Sequence, residues 1–324
     1  MKKICVTGAY GFIGKSMCKV LIDSNKNVLG LVRTLDPSLN FTNVEYKSVG
    51  DISSKIDYKN LLLGSDCVIH CAGKVPEMHK KDELDNYLEI NTKSTKYLAE
   101  QAVQAGVSRL IFLSSVSVFG NDTDRVEYDI IEKNYNNKKF SYKDIPKPKN
   151  SYAKSKFEAE KLLWEISART GLEVVVVRIP LVYGQGVKGN LLRLMKLINY
   201  NIPLPLGSVK NKRSLIGIDN LVNVLNRCID HPNAAGKTFL VSDGEDLSTP
   251  QLLNYIASAK GRTIRHFPFP TGLLKFASII LQKKDEMNKL IGSFQIDNEY
   301  ACKTLNWKPP VSVQEGIRRM VQDK

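Results

Sequence analysis

Ile4-Cys5-Val6-Thr7-Gly8-Ala9-Tyr10-Gly11-Phe12-Ile13-Gly14, with Lys15-Ser16-Met17-Cys18-Lys19-Val20-Leu21 behind it, decides the fold. An apolar β-branched run stops at three glycines, and helical periodicity begins at Phe12. Glycines at such a turn let backbone approach a pyrophosphate, whose charge meets the amides and the positive end of the next helix. The spacing is G-x-x-G-x-x-G and differs from the G-x-G-x-x-G dinucleotide fingerprint. Close helix–strand packing is the other use of such glycines, so their place after a first strand matters more than their number. Gly8, Gly11, Phe12, Ile13 and Gly14 are the candidate cofactor cradle.

Downstream, Val28–Val32, Asp66–His70, Arg109–Leu113 and Glu173–Arg178 read as further strands, and Phe12–Asp23, Asp82–Ala105 and Ser151–Arg169 as helices. The alternation predicts an α/β fold, a Rossmann-type doubly wound parallel sheet covered on both faces. Beyond Arg178 the pattern is irregular, with Pro/Gly clusters at Pro203–Gly207 and Pro268–Gly272 and helices near 249–260, 273–282 and 312–322. A smaller C-terminal substrate lobe is expected. Residues 1–180 with about 215–243 form the dinucleotide-binding domain in this reading, and about 181–214 and 244–324 the lobe. Asn121–Lys149, charged and aperiodic, reads equally as a lid or as a surface insertion.

With 324 residues, 43% of them hydrophobic, the chain can bury a full core. The opening Met1-Lys2-Lys3-Ile4 runs straight into a strand with no leader-like apolar region, so a cytoplasmic protein is expected. Gly272–Leu281 falls short of the roughly 20 residues that span a bilayer. It is read as a packed helix in preference to a membrane-surface one. The formal charge of +14 comes from lysines spread along the chain without an aromatic-basic motif. That predicts a small anionic partner, a dinucleotide or sugar nucleotide, and no nucleic acid. Six scattered cysteines read as reduced thiols, and Cys67, His70 and Cys71 share a strand whose alternation splits them between faces, so no metal is expected.

The chemistry is carried by Ser151-Tyr152-Ala153-Lys154-Ser155-Lys156. Tyr152 and Lys156 share a helical face. A phenol with pKa near 10 is a poor base; a neighbouring ammonium and an oxidised nicotinamide favour the phenolate. Ser115 and Ser117 follow the preceding strand at its carboxyl end, where ligands of such sheets collect. Arg33, at the tip of the second strand where an acidic residue would hold the ribose hydroxyls of NAD, favours NADP over NAD.

These features together resemble the extended short-chain dehydrogenase/reductases of the nucleotide-sugar (UDP-glucose 4-epimerase-like) epimerase/dehydratase family. The Gly8-Gly11-Gly14 turn, Asp51-Ile52, the Asp66–Gly73 strand, Asn91, Ser115, Tyr152/Lys156 and Arg178…Val182-Tyr183-Gly184 come in that family's order, over essentially the whole chain. The resemblance implies that Asp51 meets the adenine, that Ala72-Gly73 lines the cofactor, that Ser115 and Tyr152 bind the reacting hydroxyl, and that Lys156 holds the nicotinamide ribose. It also implies that Arg213 grips the diphosphate or nucleotide ribose of a UDP-linked sugar, with Asn190 a second candidate, and that the chain forms a homodimer through the helices at 82–105 and 151–170. Asn91 stands independently as an amide on an apolar helical stripe, where burial demands partners. Three positions depart from the pattern: Phe119 replaces a tyrosine, Leu181 an asparagine against the diphosphate, and Arg33 the acidic residue.

Three functions follow. The first is reduction of a UDP-4-keto-6-deoxy (amino) sugar by NADPH, favoured by Arg33 and Leu181; the C-terminal lobe resembles a branch linked to bacterial surface-polysaccharide sugars. The second is a UDP-glucose or UDP-N-acetylglucosamine type 4-epimerase with recycled NAD. The third, a non-catalytic dinucleotide sensor, would have no need of Tyr152 and Lys156.

Overall fold

The computed structural model describes residues 1–39, 41–52, 56–76, 83–120, 123, 139–200, 202–281 and 283–322. Most of the 121–149 segment read as a lid or insertion, and His79, lie outside the described residues.

Strands β1 (Lys3–Thr7), β2 (Asn27–Val32), β3 (Val44–Ser48), β4 (Cys67–His70), β5 (Arg109–Ser115), β6 (Glu173–Ile179) and, later in the chain, β9 (Lys237–Leu240) form one sheet in the order β3-β2-β1-β4-β5-β6-β9. Every pairing is parallel. The order reverses between β1 and β4, whose carboxyl ends therefore flank the crevice where such sheets bind ligands. β5 and β6 are buried nearly throughout, as expected of strands covered on both faces, whereas edge strand β3 buries only Val44 fully, with Tyr46 partly buried against the core. That is why Val44-Glu45-Tyr46-Lys47-Ser48 gave no strand signal.

One face is covered by α1 (Phe12–Asp23), α7 (Ile218–Asp230) and α11 (Glu299–Thr304), through Met17, Leu21, Leu221, Leu225 and Ala301. The other is covered by α2 (Tyr58–Leu62), α4 (Ser94–Gln104) and α5 (Ser151–Thr170), through Leu62, Leu98, Leu163 and Ile166. α5 begins where Asn150 Oδ1 accepts the Ala153 amide at 2.8 Å and ends on Gly171, whose φ of 77° needs no Cβ. Tyr152 therefore lies in its first turn and Lys156 one turn later.

The helix expected over 82–105 is interrupted. α3 (Leu84–Tyr87) passes into a π-turn at Leu88–Lys93 before α4 resumes. Such turns widen a helix by one residue and commonly sit at functional sites; this one contains Asn91.

The irregular stretch after Arg178 resolves into β7 (Leu181–Tyr183), α6 (Asn190–Leu197), β8 (Arg213–Gly217) and β10 (Asp246–Leu247), with the three strands in a small sheet ordered β10-β8-β7. A third core gathers Leu191, Leu253, Ile256 and Ile317 from α6, α8 (Thr249–Ala259) and α12 (Val313–Gln322). α9 (Thr271–Ile280) and α10 (Lys284–Ile291) complete this part. The reading of α9 as a packed helix is corrected: only Leu274 and Ser278 of its residues are buried. Among the described residues no helix is long and apolar enough to cross a membrane.

Candidate active site

At the end of β1, Gly8 adopts φ +67°, and a Cβ there would stand 3.0 Å from the Ala72 Cα. A Cβ on Gly14 would lie 2.1 Å from the Gly8 carbonyl oxygen. Only glycines allow the turn to fold under α1 and against the β4 loop. α1 opens on Gly11 with no side-chain cap and no acidic residue in its first turn. The amides at Phe12 and Ile13 thus have no intrahelical partner and fit a pyrophosphate.

The loop after β4 is held by a chain of buried hydrogen bonds. The Ala72 amide donates to Thr7 Oγ1 at 3.2 Å, and Thr7 Oγ1 meets His70 Nδ1 at 2.7 Å. His70 Nε2 meets Thr95 Oγ1 at 3.0 Å, and that hydroxyl donates to the Asn91 carbonyl at 2.7 Å. Since the Thr95 proton is committed to Asn91, Nε2 must donate, and in the neutral ring Nδ1 is left to accept the Thr7 hydroxyl proton. Burial, with the Lys156 charge adding to it, lowers the His70 pKa to about 3. Both ring nitrogens are spent on hydroxyls.

Asn91 meets the need for partners in full. Its Oδ1 accepts the Lys74 amide at 2.8 Å, and its Nδ2 donates to the Lys74 carbonyl and to Ser155 Oγ, each at 3.0 Å. Gly73 sits beside it, where a Cβ would come within 3.0 Å of Asn91 Oδ1 and 3.4 Å of Lys156 Nζ. The glycine turn, Ala72-Gly73, Asn91 and Lys156 are thereby joined into one surface. At its rim, Arg33 Nε pairs with Asp51 Oδ1 at 2.7 Å, both side chains more than three-quarters exposed, and half-buried Ile52 follows.

Ser115 ends β5 and caps the short turn that follows it. Ser117 Oγ donates to Ser115 Oγ at 2.9 Å, and Ser115 lies near enough to act on Tyr152. Burial pushes the Tyr152 phenol up to about 12, while the Ser115 hydroxyl acts in the opposite direction. The Tyr87 ring stands edge-on to Tyr152 at 6.2 Å, with the Lys74 ammonium 5.2 Å from the Tyr87 centroid. Lys156 Nζ donates to the Leu113 carbonyl at 2.9 Å and lies 4.6 Å from the Phe112 ring centroid. Its burial brings the ammonium down to about 8.

One turn below Lys156, Glu160 takes Arg178 in a two-bonded pair, Nε at 3.1 Å and the terminal nitrogen at 2.6 Å, and also accepts the Ser114 hydroxyl. Arg178 in turn covers Phe119 at 4.9 Å, and Phe119 stacks on Phe140 at 4.9 Å. The tyrosine-to-phenylalanine departure is therefore a packing contact.

Arg213, half-buried at the start of β8, donates to the Gly292 carbonyl at 3.1 Å. Asn190 is exposed at the first position of α6, and Leu181 is exposed on β7. The structure brings Tyr152 to the bonded pair Ser115 and Ser117, with Lys156 one helical turn behind Tyr152 and bonded to the Leu113 carbonyl; Arg213 and Asn190 stand on the smaller sheet's side of the molecule. Sequence reasoning missed Thr7, His70, Thr95, Tyr87, Lys74 and Glu160. For His70, the available signal was a histidine ending a strand beside one that ends in Thr7; for Glu160, its helical spacing from Lys156.

Residues 4–242 match the model of the NAD dependent epimerase/dehydratase family. Across 328 residues, 99% of the chain and 95% of the relative, the sequence is 38% identical to UDP-glucose 4-epimerase of Vibrio cholerae. It is 25% identical over 98% of the chain and 94% of the relative to N-acetyl-alpha-D-glucosaminyl-diphospho-ditrans,octacis-undecaprenol 4-epimerase of Escherichia coli O157:H7. The fold is similar to that of UDP-glucose 4-epimerase from Thermotoga maritima, with a TM-score of 0.77 at 19% identity, covering 99% of this chain and 97% of that one.

Proposed function

Because the chain belongs to the NAD dependent epimerase/dehydratase family, we propose that it is a 4-epimerase of UDP-linked hexoses that keeps and recycles NAD. The observation that carries this reading is Tyr152 set beside the hydrogen-bonded pair Ser115 and Ser117, with Lys156 one turn behind it against the Gly73 wall. Tyr152 takes the proton of the C4 hydroxyl while Ser115 hydrogen-bonds the same oxygen. When bound, the oxidised dinucleotide supplies the hydride acceptor, and its positive charge brings the phenol down from about 12 towards a working range. Lys156 holds the ribose, Asn91 fixes the loop that lines it, and Arg213 grips the diphosphate with a forked guanidinium. Were the 4-keto sugar to turn over in the site and be reduced on its other face, Tyr152 would give its proton back to the C4 oxygen and the alcohol would be inverted.

Asp51 bears on the choice of cofactor. A 2′-phosphate placed at Arg33 would meet the Asp51 carboxylate already paired there, which supports NAD. The reductase remains the second reading, supported by Arg33 itself, which a ribose phosphate would engage if Asp51 turned away. Pairing of two copies through α4 and α5 is the assembly that goes with either.

The test is incubation of purified protein with UDP-glucose, and separately UDP-N-acetylglucosamine, without added cofactor, followed by chromatography of the sugar nucleotides. Interconversion with the galacto epimer, lost in Tyr152→Phe, is the expected result. Absence of interconversion, together with stoichiometric oxidation of NADPH by a UDP-linked 4-keto-6-deoxy sugar, would replace the epimerase with the reductase. Turnover in neither assay, with dinucleotide binding intact in Tyr152→Phe, would leave a sensor.

A further inference from the structure

α9 presents an unusual surface. Leu274 and Ser278, one turn apart, are its only buried residues. Leu273, Phe276, Ile279 and Ile280 are 54%, 62%, 56% and 66% exposed, and Leu281 just beyond is 66% exposed. Residues 273, 276 and 280 fall on one stripe of a helix, with 279 beside it. Five large apolar side chains thus stand together in water, although a soluble helix ordinarily turns such a stripe inward. A contiguous patch of this kind marks an interaction site.

The charges around it decide the partner. Between Gly261 and Leu290 the sequence has six Lys/Arg against two Asp/Glu, in a chain of net charge +14. Lys275, within the helix, and Lys283, just past its end, are both exposed. A second copy of the chain meeting this face across a two-fold axis would bring the same lysines against one another, which like-charge repulsion opposes. A surface of anionic headgroups over acyl chains matches both features: apolar side chains enter the interface while lysines meet phosphates.

We infer that the exposed face of α9 docks on an anionic lipid bilayer. The helix lies in the plane of the membrane and does not cross it. It carries the substrate lobe with it, since α9 packs on α10 and the residue after α10, Gly292, accepts the Arg213 hydrogen bond. The contact is peripheral and reversible, held jointly by apolar burial and by charge.

The experiment is flotation of the full chain with vesicles of phosphatidylglycerol mixed with phosphatidylcholine, and with phosphatidylcholine alone. The protein floats with the mixed vesicles and is largely released by high salt. Phe276→Asp with Ile280→Asp weakens partition by roughly a hundredfold, about tenfold for each anchor removed. Because those residues face solvent, the double variant keeps the turnover of the parent, which shows that it is folded. A Phe276→Trp variant reports independently: its emission shifts to the blue on addition of the mixed vesicles. Equal flotation of the double variant, or no flotation of the parent, overturns the inference. A blue shift that grows with protein concentration without lipid, together with a mass increase abolished by the double variant, overturns it in favour of self-association; capture of an acidic protein in place of vesicles does so in favour of that partner.

Discussion

Glu160 and Arg178 make a quantitative test of what holds the catalytic helix to the sheet. Their side chains are 2% and 7% exposed and share two bonds, at 3.1 and 2.6 Å. Removing one partner of such a pair strands the other charge in a medium that solvates it poorly, at a cost of about 3–5 kcal/mol. Glu160→Gln and Arg178→Met should each destabilise by about that amount, so independent effects would sum to about 6–10 kcal/mol. In the double variant no charge is stranded. What remains is the lost guanidinium contact with Phe119, about 1–2 kcal/mol, and the weakened acceptor for Ser114, about 1 kcal/mol more. The double variant should therefore lie within about 3 kcal/mol of the parent, giving a coupling energy of at least about 3 kcal/mol. Urea unfolding of all four proteins, followed by circular dichroism at one pH, measures it. If the double variant costs the sum of the singles to within about 0.5 kcal/mol, the pair is not a coupled buried unit and the argument fails.

Lys156 and His70 predict opposite limbs of the pH–stability curve. For Lys156 the folded pKa, about 8, lies below the free value of 10.5, so the cost of burying its charge is complete below 8 and is relieved as pH rises through that interval. Stability relative to Lys156→Met should rise by about 3 kcal/mol across it; a constant difference between the two proteins refutes this. His70, lowered to about 3 from 6.5, binds its proton first in the unfolded chain. Stability should therefore fall by about 4–5 kcal/mol as pH drops from 6.5 towards 3, less steeply in His70→Gln, as followed by equilibrium unfolding. Arg33→Ala should leave NAD affinity within about threefold while weakening NADP about tenfold, read by calorimetric titration; a tenfold loss for NAD would place Arg33 on the shared part of the dinucleotide.

The parts of the site legible in the sequence are those fixed by short spacing. Gly8 to Gly14 is one turn between a strand and a helix, and Tyr152 to Lys156 one turn of a helix, so local rules of chain geometry suffice. The parts that were not legible depend on partners far along the chain. His70 had only Cys67 and Cys71 as neighbours in sequence, and once strand alternation ruled out a metal there, nothing local gave it a role. In the structure its partners are Thr7, 63 residues earlier and brought level by strand register, and Thr95, 25 residues later. The π-turn is invisible to a period of 3.6, because it follows from Asn91 reaching the Lys74 backbone and Ser155 at once. Composition likewise reports that α9 is apolar and says nothing about whether another element covers it.

The residues that local spacing does not reveal brace the walls of the site. Thr7, His70 and Thr95 tie β1, β4 and the π-turn into one rigid wall, and Glu160 with Arg178 ties α5 to β6. Lys156 stands between these two ties, with a neutral imidazole on one side and a compensated carboxylate on the other. Were His70 charged, or Glu160 unpaired, the Lys156 pKa would move down or up, and with it the field in which Tyr152 must give up its proton. The neutral His70 and the Glu160–Arg178 pair thus set the electrostatic background of the Tyr152–Lys156 motif without touching the reacting atoms.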